Sequence, residues 1–332
     1  MKKALVLLLS VILLVSCTAA GAGAAEEKTI HIVTTIFPIY DWIREIAGSD
    51  AAHVSLTLLL DNGVDLHSYQ PAAQDILAIS TADLFVYVGG ESDEWVEDVL
   101  KTAVNPNLKA VSLLEAMGDD IKMEEIVEGM EHEHEDHDGE EEHDSEDHDH
   151  EHEDEADEHV WLSLRNAEKL TAVIENAMAE TDPAFAETYR NNAAAYRKKL
   201  AELDARYTET VGGSAFKTVL FGDRFPFRYL ADDYGLTYFA AFSGCSAESE
   251  ASFETVIFLA QKVDELGLPA VLTIEHPKTR IAETIAENTV EKNQKILAMD
   301  SMQGTTAADI RAGATYLSIM ESNLEVLKEA LN

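Results

Sequence analysis

Strand-like and helix-like patterns of apolar residues alternate along the first part of the chain. Short β-branched and apolar runs are typical of strands, and apolar residues that recur every three or four positions are typical of helices. The predicted strands are residues 29–35, 53–60 and 84–88, with helices at 39–47 and 71–78 between them. Strands and helices that alternate at this spacing predict parallel βαβ units.

A long helical stretch follows in the middle of the chain. Residues 163–179 carry apolar side chains at helical spacing, and a second helix is predicted from Pro183 to about Val211, where Gly212 and Gly213 end it. A helix of roughly 30 residues spans about 40 Å, which exceeds one small domain. We therefore expect this helix to brace two lobes.

A second series of strands and helices occupies the C-terminal part of the chain. The predicted strands are 218–221, 237–241, 270–274 and 296–299, with helices at 252–266 and 279–289. The fold class is therefore α/β, with two βα-type lobes joined by a long rigid helix. The predicted boundaries are 28–162 for the N-terminal lobe, 163–213 for the linking helices and 214–332 for the C-terminal lobe. Ligands of such sheets bind beyond the carboxyl ends of the strands, so we expect a site in the interlobe cleft.

The N-terminus has the pattern of an export signal. Two lysines precede an apolar run that is too short to span a bilayer, so residues 1–16 are predicted to be a signal peptide. The run ends in LVSC at residues 14–17, which resembles the bacterial lipobox and implies that a diacylglycerol is attached to Cys17. Residues 17–27 are small and polar, as expected of a flexible tether. The predicted location is outside the cytoplasm, with membrane lipid as the anchor.

Residues 131–158 form a segment with an unusual composition. Eighteen of these residues are Asp or Glu, seven are His, and none is Lys or Arg. Because the segment has almost nothing apolar to bury, it is predicted to be a disordered loop. Neutral imidazole binds zinc, copper and nickel, so we expect the loop to collect metal ions and not merely to be a solvated charge run. Its histidines are His132, His134, His137, His143, His148, His150 and His152.

The net charge narrows the range of partners. The chain has a formal charge of −39, from 63 acidic and 24 basic residues, and the loop holds only 18 of the acidic ones. Nucleic acid is not expected to bind, because the phosphate backbone favours clustered Lys and Arg. A cation is the natural ligand of such a negative field.

Metal-ligand atoms occur after predicted strands and where the acidic loop ends. The residues are His67, His159, Glu275 with its neighbour His276, and Asp300. A lone loop histidine is more often a surface or capping residue, but together these residues predict one metal site. Cys245, Glu248 and Glu250 lie in a further loop that is expected to support this site. A thiolate at Cys245 would bind zinc strongly, although a buried structural cysteine is commoner.

Several segments resemble one known family. DLHSYQP at 65–71, EHVWLS at 158–163, the helix from Pro183 and the position of Asp300 are similar to those of the zinc and manganese solute-binding lipoproteins of ABC transporters. The resemblance is to the high-affinity zinc-uptake kind and covers residues 28–332. It implies two α/β lobes joined by a long helix, one metal ion between them, and an ABC permease of the cytoplasmic membrane as partner. We expect a monomer.

The resemblance implies a ligand set with one departure from the family. His67 and His159 match its motifs, and Asp300 matches its strand-end position. The family's third histidine is missing here. We favour Glu275 as its replacement, with His276 as the alternative, because adjacent residues on an extended segment point opposite ways. Two imidazoles and two carboxylates would suit four-coordinate Zn²⁺, and the carboxylates would also suit Mn²⁺.

Arg224 falls near the place of the missing histidine. A guanidinium cannot bind a cation, so Arg224 is not a candidate ligand. We expect it either to anchor a carboxylate of the site through two hydrogen bonds or to form an ordinary ion pair between the lobes.

The predicted function is capture of extracytoplasmic Zn²⁺ and its delivery to an ABC permease for zinc uptake. The alternatives are a manganese-binding member of the same family and a metal-dependent adhesin or zinc buffer. An exported zinc hydrolase is less favoured, because the HExxH spacing of zinc hydrolases does not occur in the sequence. We therefore expect a transport protein and not an enzyme.

Overall fold

Two parallel β-sheets define the architecture of the molecule. The computed structural model describes residues 29–49, 51–130, 155–246, 250–275 and 280–332. Within these residues the chain forms two α/β lobes, each built on a four-stranded sheet, with two long helices in between. The predicted α/β class with two lobes and a long connecting helix is confirmed.

The N-terminal lobe is an open parallel sheet with helices packed around it. Its elements are β1 (Ile30–Thr34), α1 (Phe37–Ala47), β2 (Val54–Leu58), α2 (Ala73–Thr81), β3 (Leu84–Tyr87), α3 (Trp95–Lys101), β4 (Lys109–Ser112) and α4 (Leu113–Met117). The strands lie in the order β2-β1-β3-β4. Strand β4 was not predicted, because a four-residue edge strand with the sequence KAVS has too few apolar residues to stand out.

Two helices connect the lobes. They are α5 (Leu164–Thr181) and α6 (Ala186–Gly213), and the 28 residues of α6 span about 42 Å. One side of α6 is buried, through Tyr189, Ala193, Tyr196, Leu200, Leu203, Tyr207 and Val211. The helix begins at Ala186 and not at Pro183, because Asp182 precedes the proline in a non-helical conformation and its carbonyl closes a turn with the Phe185 N–H.

The C-terminal lobe repeats the parallel arrangement. Its elements are β5 (Thr218–Arg224), α7 (Arg228–Tyr234), β6 (Thr237–Phe242), α8 (Phe253–Leu266), β7 (Ala270–Ile274), α9 (Arg280–Asn288), β8 (Lys295–Met299), α10 (Ala307–Ala312) and α11 (Tyr316–Ala330). The strand order is β6-β5-β7-β8. The pairing of β5 with β6 shifts register between Phe221 and Arg224, an irregularity of the kind that re-aims a side chain at the end of a strand.

The start of α11 ties the two lobes together. The Tyr316 hydroxyl donates to the carbonyl of Trp161 at 2.7 Å, and the Tyr316 N–H donates to Asp41 of α1 at 2.8 Å. Asp41 is fully buried, and this burial raises the pKa of its carboxyl to about 6. An isolated bridge between Asn62 and Thr306 also joins the loop after β2 to the region after β8. The carboxyl ends of the two sheets therefore meet across one cleft.

The last four residues of the acidic segment are not disordered. Residues 155–158 belong to the fold: Ala156 bridges to Met123, and Asp157 and Glu158 are each only 2% exposed. The prediction that disorder extends to residue 158 is therefore wrong at its end, because these two carboxylates have hydrogen-bond partners inside the protein.

Several predicted features lie outside the described residues. They are the signal peptide, the tether with Cys17, the seven histidines of the acidic segment, Glu248 and His276. Among the helices that are described, none combines the length and the apolar character needed to cross a membrane.

Candidate metal centre

His67 is placed by a short turn after β2. Residues Leu66–Ser68 form a single 3-10 turn, and the Asp65 carboxylate caps it by accepting the His67 N–H at 3.0 Å. The ring Nδ1 lies 2.8 Å from Ser92 Oγ and 3.6 Å from Glu158 Oε2. These contacts hold the ring so that Nε2 points into the cleft.

His159 is fully buried at the point where the chain enters α5. Its Nδ1 lies 2.9 Å from the Asp157 carboxylate, which also accepts the His159 backbone N–H at 2.9 Å. A carboxylate at Nδ1 fixes both the tautomer and the orientation of an imidazole, and such support is typical of metal-binding histidines. Trp161 closes the interior side, since its ring packs against His159 and its N–H donates to the carbonyl of Ser301.

The two imidazoles face each other through their Nε2 atoms. The distance between His67 Nε2 and His159 Nε2 is 3.2 Å. With Zn–N bonds of about 2.0–2.1 Å in a tetrahedral site, two ligand nitrogens lie about 3.3 Å apart. Because both Nδ1 atoms have oxygen partners, protonation at Nδ1 leaves two lone pairs directed at the same point. The pair is therefore arranged to share a cation.

The electrostatic surroundings of the two rings differ. Burial, and then the charge that His159 would carry, lowers the pKa of His67 to about 3, so its ring is neutral at physiological pH. Burial also disfavours the charged form of His159, but the Asp157 carboxylate, together with Glu124 and Glu158, raises the pKa of His159 above its ordinary value. The negative potential that favours a proton on His159 also favours a metal ion beside it.

Arg224 forms an ion pair between the lobes. Its guanidinium lies 2.5 Å from the Asp65 carboxylate, the group that caps the turn of His67, and a second nitrogen donates to the carbonyl of Ser246 at 3.3 Å. Burial raises the pKa of Asp65, but the hydrogen bond and charge of Arg224 outweigh it and hold this pKa below its ordinary value. Arg224 therefore stabilises the site from behind His67.

Glu275 follows β7 and is surrounded by backbone donors. Its carboxylate accepts the N–H groups of Ser301 at 2.5 Å, Gln303 at 3.1 Å and Gly304 at 3.4 Å, and also the Ser301 hydroxyl. Burial and the nearby Asp300 charge raise the pKa of Glu275 to about 7. In this arrangement the carboxylate shapes the loop 301–304.

Asp300 takes part in the same loop. Its Oδ1 accepts the Met302 N–H at 2.7 Å, and its main chain pairs with the side-chain amide of Asn323. The loop then carries Gln303 to the cleft, where its amide nitrogen lies 3.3 Å from His159 Nε2. Gln303 was not predicted from the sequence, since a glutamine in a loop has no distinctive pattern.

Two sets of potential ligand atoms converge at the cleft. His67, His159 and Cys245 form one set and Glu124, Asp157 and His159 form the other, each with its atoms within 4.8 Å of one another. Among the described residues, neither set includes Glu275 or Asp300. The supporting roles of Asp157 and Glu158 were not predicted, because the two residues resemble the rest of the acidic run. Their position directly before His159 could have indicated these roles.

Two parallel α/β lobes, a long connecting helix and potential ligand side chains that converge at the facing strand ends define the class of fold, a two-lobed α/β protein with a candidate metal centre in its cleft. The sequence model of the family described as zinc-uptake complex component A, periplasmic (ZnuA), matches residues 32–330. The chain belongs to this family, and the resemblance drawn from its motifs is confirmed.

Individual relatives agree with this assignment. The chain is 34% identical over 330 residues to the zinc-binding lipoprotein AdcA of Streptococcus pneumoniae, which covers 99% of the chain and 61% of the relative. It is 31% identical to the high-affinity zinc uptake system protein ZnuA of Bacillus subtilis, with 93% and 90% covered. The solved structure of the Zn(II)-bound ZnuA-like domain of S. pneumoniae AdcA has a TM-score of 0.70 at 29% identity and covers 91% of this chain and 99% of that one. The chain thus spans about three fifths of the AdcA relatives and most of the Bacillus protein.

Proposed function

We propose that this protein captures Zn²⁺ outside the cytoplasm and delivers it to an ABC permease. The observation that carries the proposal is the His67–His159 pair, with Nε2 atoms 3.2 Å apart and an oxygen partner behind each ring. Family membership supports it, because the family is described as a component of a zinc-uptake complex. The S. pneumoniae and B. subtilis relatives are named for zinc binding and zinc uptake.

His67 and His159 are the proposed nitrogen ligands of the ion. Imidazole favours zinc over manganese, which prefers oxygen ligands, so the pair supports zinc as the cargo. Glu275 and Asp300 remain predicted ligands. To bind the ion, their carboxylates would have to give up the hydrogen bonds that they accept within the loop 301–304.

The acidic segment is proposed to supply zinc to the buried pair. Residues 131–154 hold all seven of its histidines, and residues 155–158 join it directly to His159. Ions bound weakly along this segment would be released next to the tighter site. Anchoring through a lipid on Cys17, a monomeric state and an ABC permease as partner complete the proposal.

A metal titration tests this division of roles. Zinc and manganese are titrated against a chromophoric chelator, using the full chain and a variant in which a short Gly-Ser linker replaces residues 131–154. Residues 155–158 are kept, since Asp157 and Glu158 support the two imidazoles. We expect both proteins to hold one tight zinc and the variant to lose the weaker sites.

The control and the contradicting result are equally direct. His31→Ala removes an exposed histidine of β1 and leaves the tight zinc unchanged. A full chain that binds neither metal tightly would refute the proposed function, and loss of the tight site with residues 131–154 would refute the division of roles. In cells, deletion of the protein should impair growth under zinc limitation, and added zinc should restore it.

A further inference from the structure

Cys245 lies close to the two imidazoles and is not among the predicted ligands His67, His159, Glu275 and Asp300. Its Sγ is within 4.8 Å of the ligand nitrogens of both His67 and His159. It belongs to the loop that follows β6 in the C-terminal lobe, whereas both histidines come from the N-terminal side of the cleft. A thiol in this place joins the imidazole pair from the opposite lobe.

Gly244 explains how this loop comes so close to the site. A Cβ atom at Gly244 would lie 3.1 Å from Cε1 of His159 and 3.0 Å from the carbonyl oxygen of Phe225. Both contacts are tighter than side chains normally make, so the glycine lets the backbone lie directly against the imidazole. The next residue in the chain is Cys245.

Hydrogen bonds on both sides hold the cysteine in position. The Cys245 N–H donates to Glu124 Oε1 at 3.2 Å, and the carbonyl of the next residue, Ser246, accepts from Arg224 at 3.3 Å. Arg224 also pairs with Asp65 beneath His67. The same guanidinium thus positions the loop of the thiol and the turn of the first imidazole.

We propose that the Cys245 thiolate, in place of the predicted Glu275 and Asp300, is the third protein ligand of the zinc ion, beside His67 and His159. This inference rests on the proposed zinc function. With Zn–S bonds of about 2.3 Å and Zn–N bonds of about 2.0–2.1 Å, sulfur and nitrogen lie about 3.6 Å apart in a tetrahedral site. Because the sulfur and the two nitrogens now lie within 4.8 Å of one another, a movement of about 1 Å brings them to these distances. The thiol loses its proton to solvent as the S–Zn bond forms.

The fourth position faces Gln303. Its side chain is 5% exposed, and its Oε1 has no hydrogen-bond partner among the described residues. A flip of the amide would exchange this oxygen with the nitrogen that now lies 3.3 Å from His159 Nε2, and the oxygen or a water molecule would then complete the coordination. A site with two imidazoles and one thiolate is softer than one with two carboxylates, so Cys245 acts as a selectivity residue that favours zinc over manganese.

Cobalt spectroscopy tests the proposal directly. Co²⁺ replaces zinc in the full chain in a Cys17→Ala background, where Cys245 is the single remaining thiol. We expect a thiolate-to-cobalt charge-transfer band in the near ultraviolet that saturates at one ion per chain and is lost in Cys245→Ser. We also expect zinc affinity to fall on the order of 10- to 100-fold in Cys245→Ser, while manganese affinity changes much less.

The outcomes separate this inference from the function on which it rests. A protein that binds zinc tightly, shows no thiolate band and keeps its affinity in Cys245→Ser would overturn the ligand role alone. A protein that binds no zinc tightly would overturn both. If Cys245→Ser fails to fold, the band of the Cys245-containing protein still decides, and zinc-dependent protection of its thiol from alkylation provides an independent measurement.

Discussion

The two lobes bring unlike half-sites to the cleft. On the N-terminal side, His67 and His159 have their Nδ1 atoms occupied by Ser92 and Asp157, and both Nε2 atoms point into the cleft. On the C-terminal side, the Glu275 carboxylate is directed into its own loop, where it accepts hydrogen bonds from residues 301–304. The N-terminal half-site, His67 and His159, presents its nitrogen lone pairs to the cleft. In the C-terminal half-site, the Glu275 oxygens instead accept hydrogen bonds from the protein's own loop.

This difference shows that a position at the end of a strand does not by itself direct a ligand atom into the cleft. All of these residues lie in loops that converge on the same cleft. What distinguishes them is whether local backbone donors already occupy the ligand atom. An imidazole has two nitrogens, so one can be anchored while the other binds a metal. A buried carboxylate next to several N–H groups is drawn into hydrogen bonds with them.

The largest expected effect comes from removal of an imidazole. His159→Ala removes one of the two facing nitrogens and leaves Asp157 without its ring partner. We expect zinc affinity to fall by more than about 100-fold, beyond what loss of a supporting residue costs. Competition with a chelator measures the zinc affinity of the parent and of the variant. If Glu275→Gln lowers the zinc affinity by more than His159→Ala does, the difference that we infer between the two half-sites is wrong.

A smaller loss is expected when only the support of an imidazole is removed. Asp157→Ala keeps the His159 ring but removes the acceptor 2.9 Å from its Nδ1. Zinc affinity should fall by about 10- to 100-fold, because the ring is then free to change its tautomer and orientation. The matched control is Asp98→Ala, an aspartate of α3 whose side chain is 87% exposed. Equal affinities in the two variants would mean that Asp157 does not orient the ligand.

Much of the fold was predictable from the sequence, for a physical reason. Strands that are buried on both faces must be apolar runs, and 270–274 was predicted with the bounds that β7 has. The long helix was predicted from its Ala-rich, charged composition, with an error at Pro183. Strand β4 was missed because it is a half-exposed edge strand. Helix α11 was also missed, although its buried residues Tyr316, Met320 and Leu324 recur at helical spacing.

The site was predictable only as a set of candidate residues. His67 and His159 stood out because histidine is rare outside the acidic segment and because their motifs are specific. The sequence could not show that the Glu275 carboxylate is taken up by the loop 301–304, because this depends on the path of a backbone that composition does not describe. It also could not show that Asp157 leaves the acidic run to support His159, since neighbouring acidic residues look alike.

A third test concerns Asp41 of the N-terminal lobe, which, like Glu275, is a buried carboxylate that accepts a hydrogen bond from a backbone N–H. The raised Asp41 pKa, about 6 against an ordinary value of 3.8, means that the folded protein binds more protons than the unfolded chain between these pH values. This carboxyl therefore stabilises the fold fully below about pH 4, and the stabilisation is lost as the pH rises through about 6.

Asp41→Asn removes this contribution to the pH dependence. Denaturant unfolding of metal-free protein at several pH values from 4 to 7 gives the free energy of unfolding. We expect the difference between parent and variant to change by about 2–3 kcal/mol over this range, with the parent losing more stability as the pH rises. For Asp98→Asn the difference should stay flat, and a flat difference for Asp41→Asn would contradict its raised pKa.

The smallest expected effect concerns the ion pair that couples the half-sites. Arg224→Lys keeps the charge but loses the planar fork that reaches Asp65 and the Ser246 carbonyl together. We expect a loss of about 1 kcal/mol in the free energy of unfolding and a fall in zinc affinity of about 10-fold or less. Arg228→Lys is the matched control, because Arg228 also forms an ion pair across the lobes, with Glu125, but among the described residues it has no recorded contact with the turn of His67. If both variants lower the affinity equally, Arg224 acts only by joining the two lobes and does not position the turn of His67.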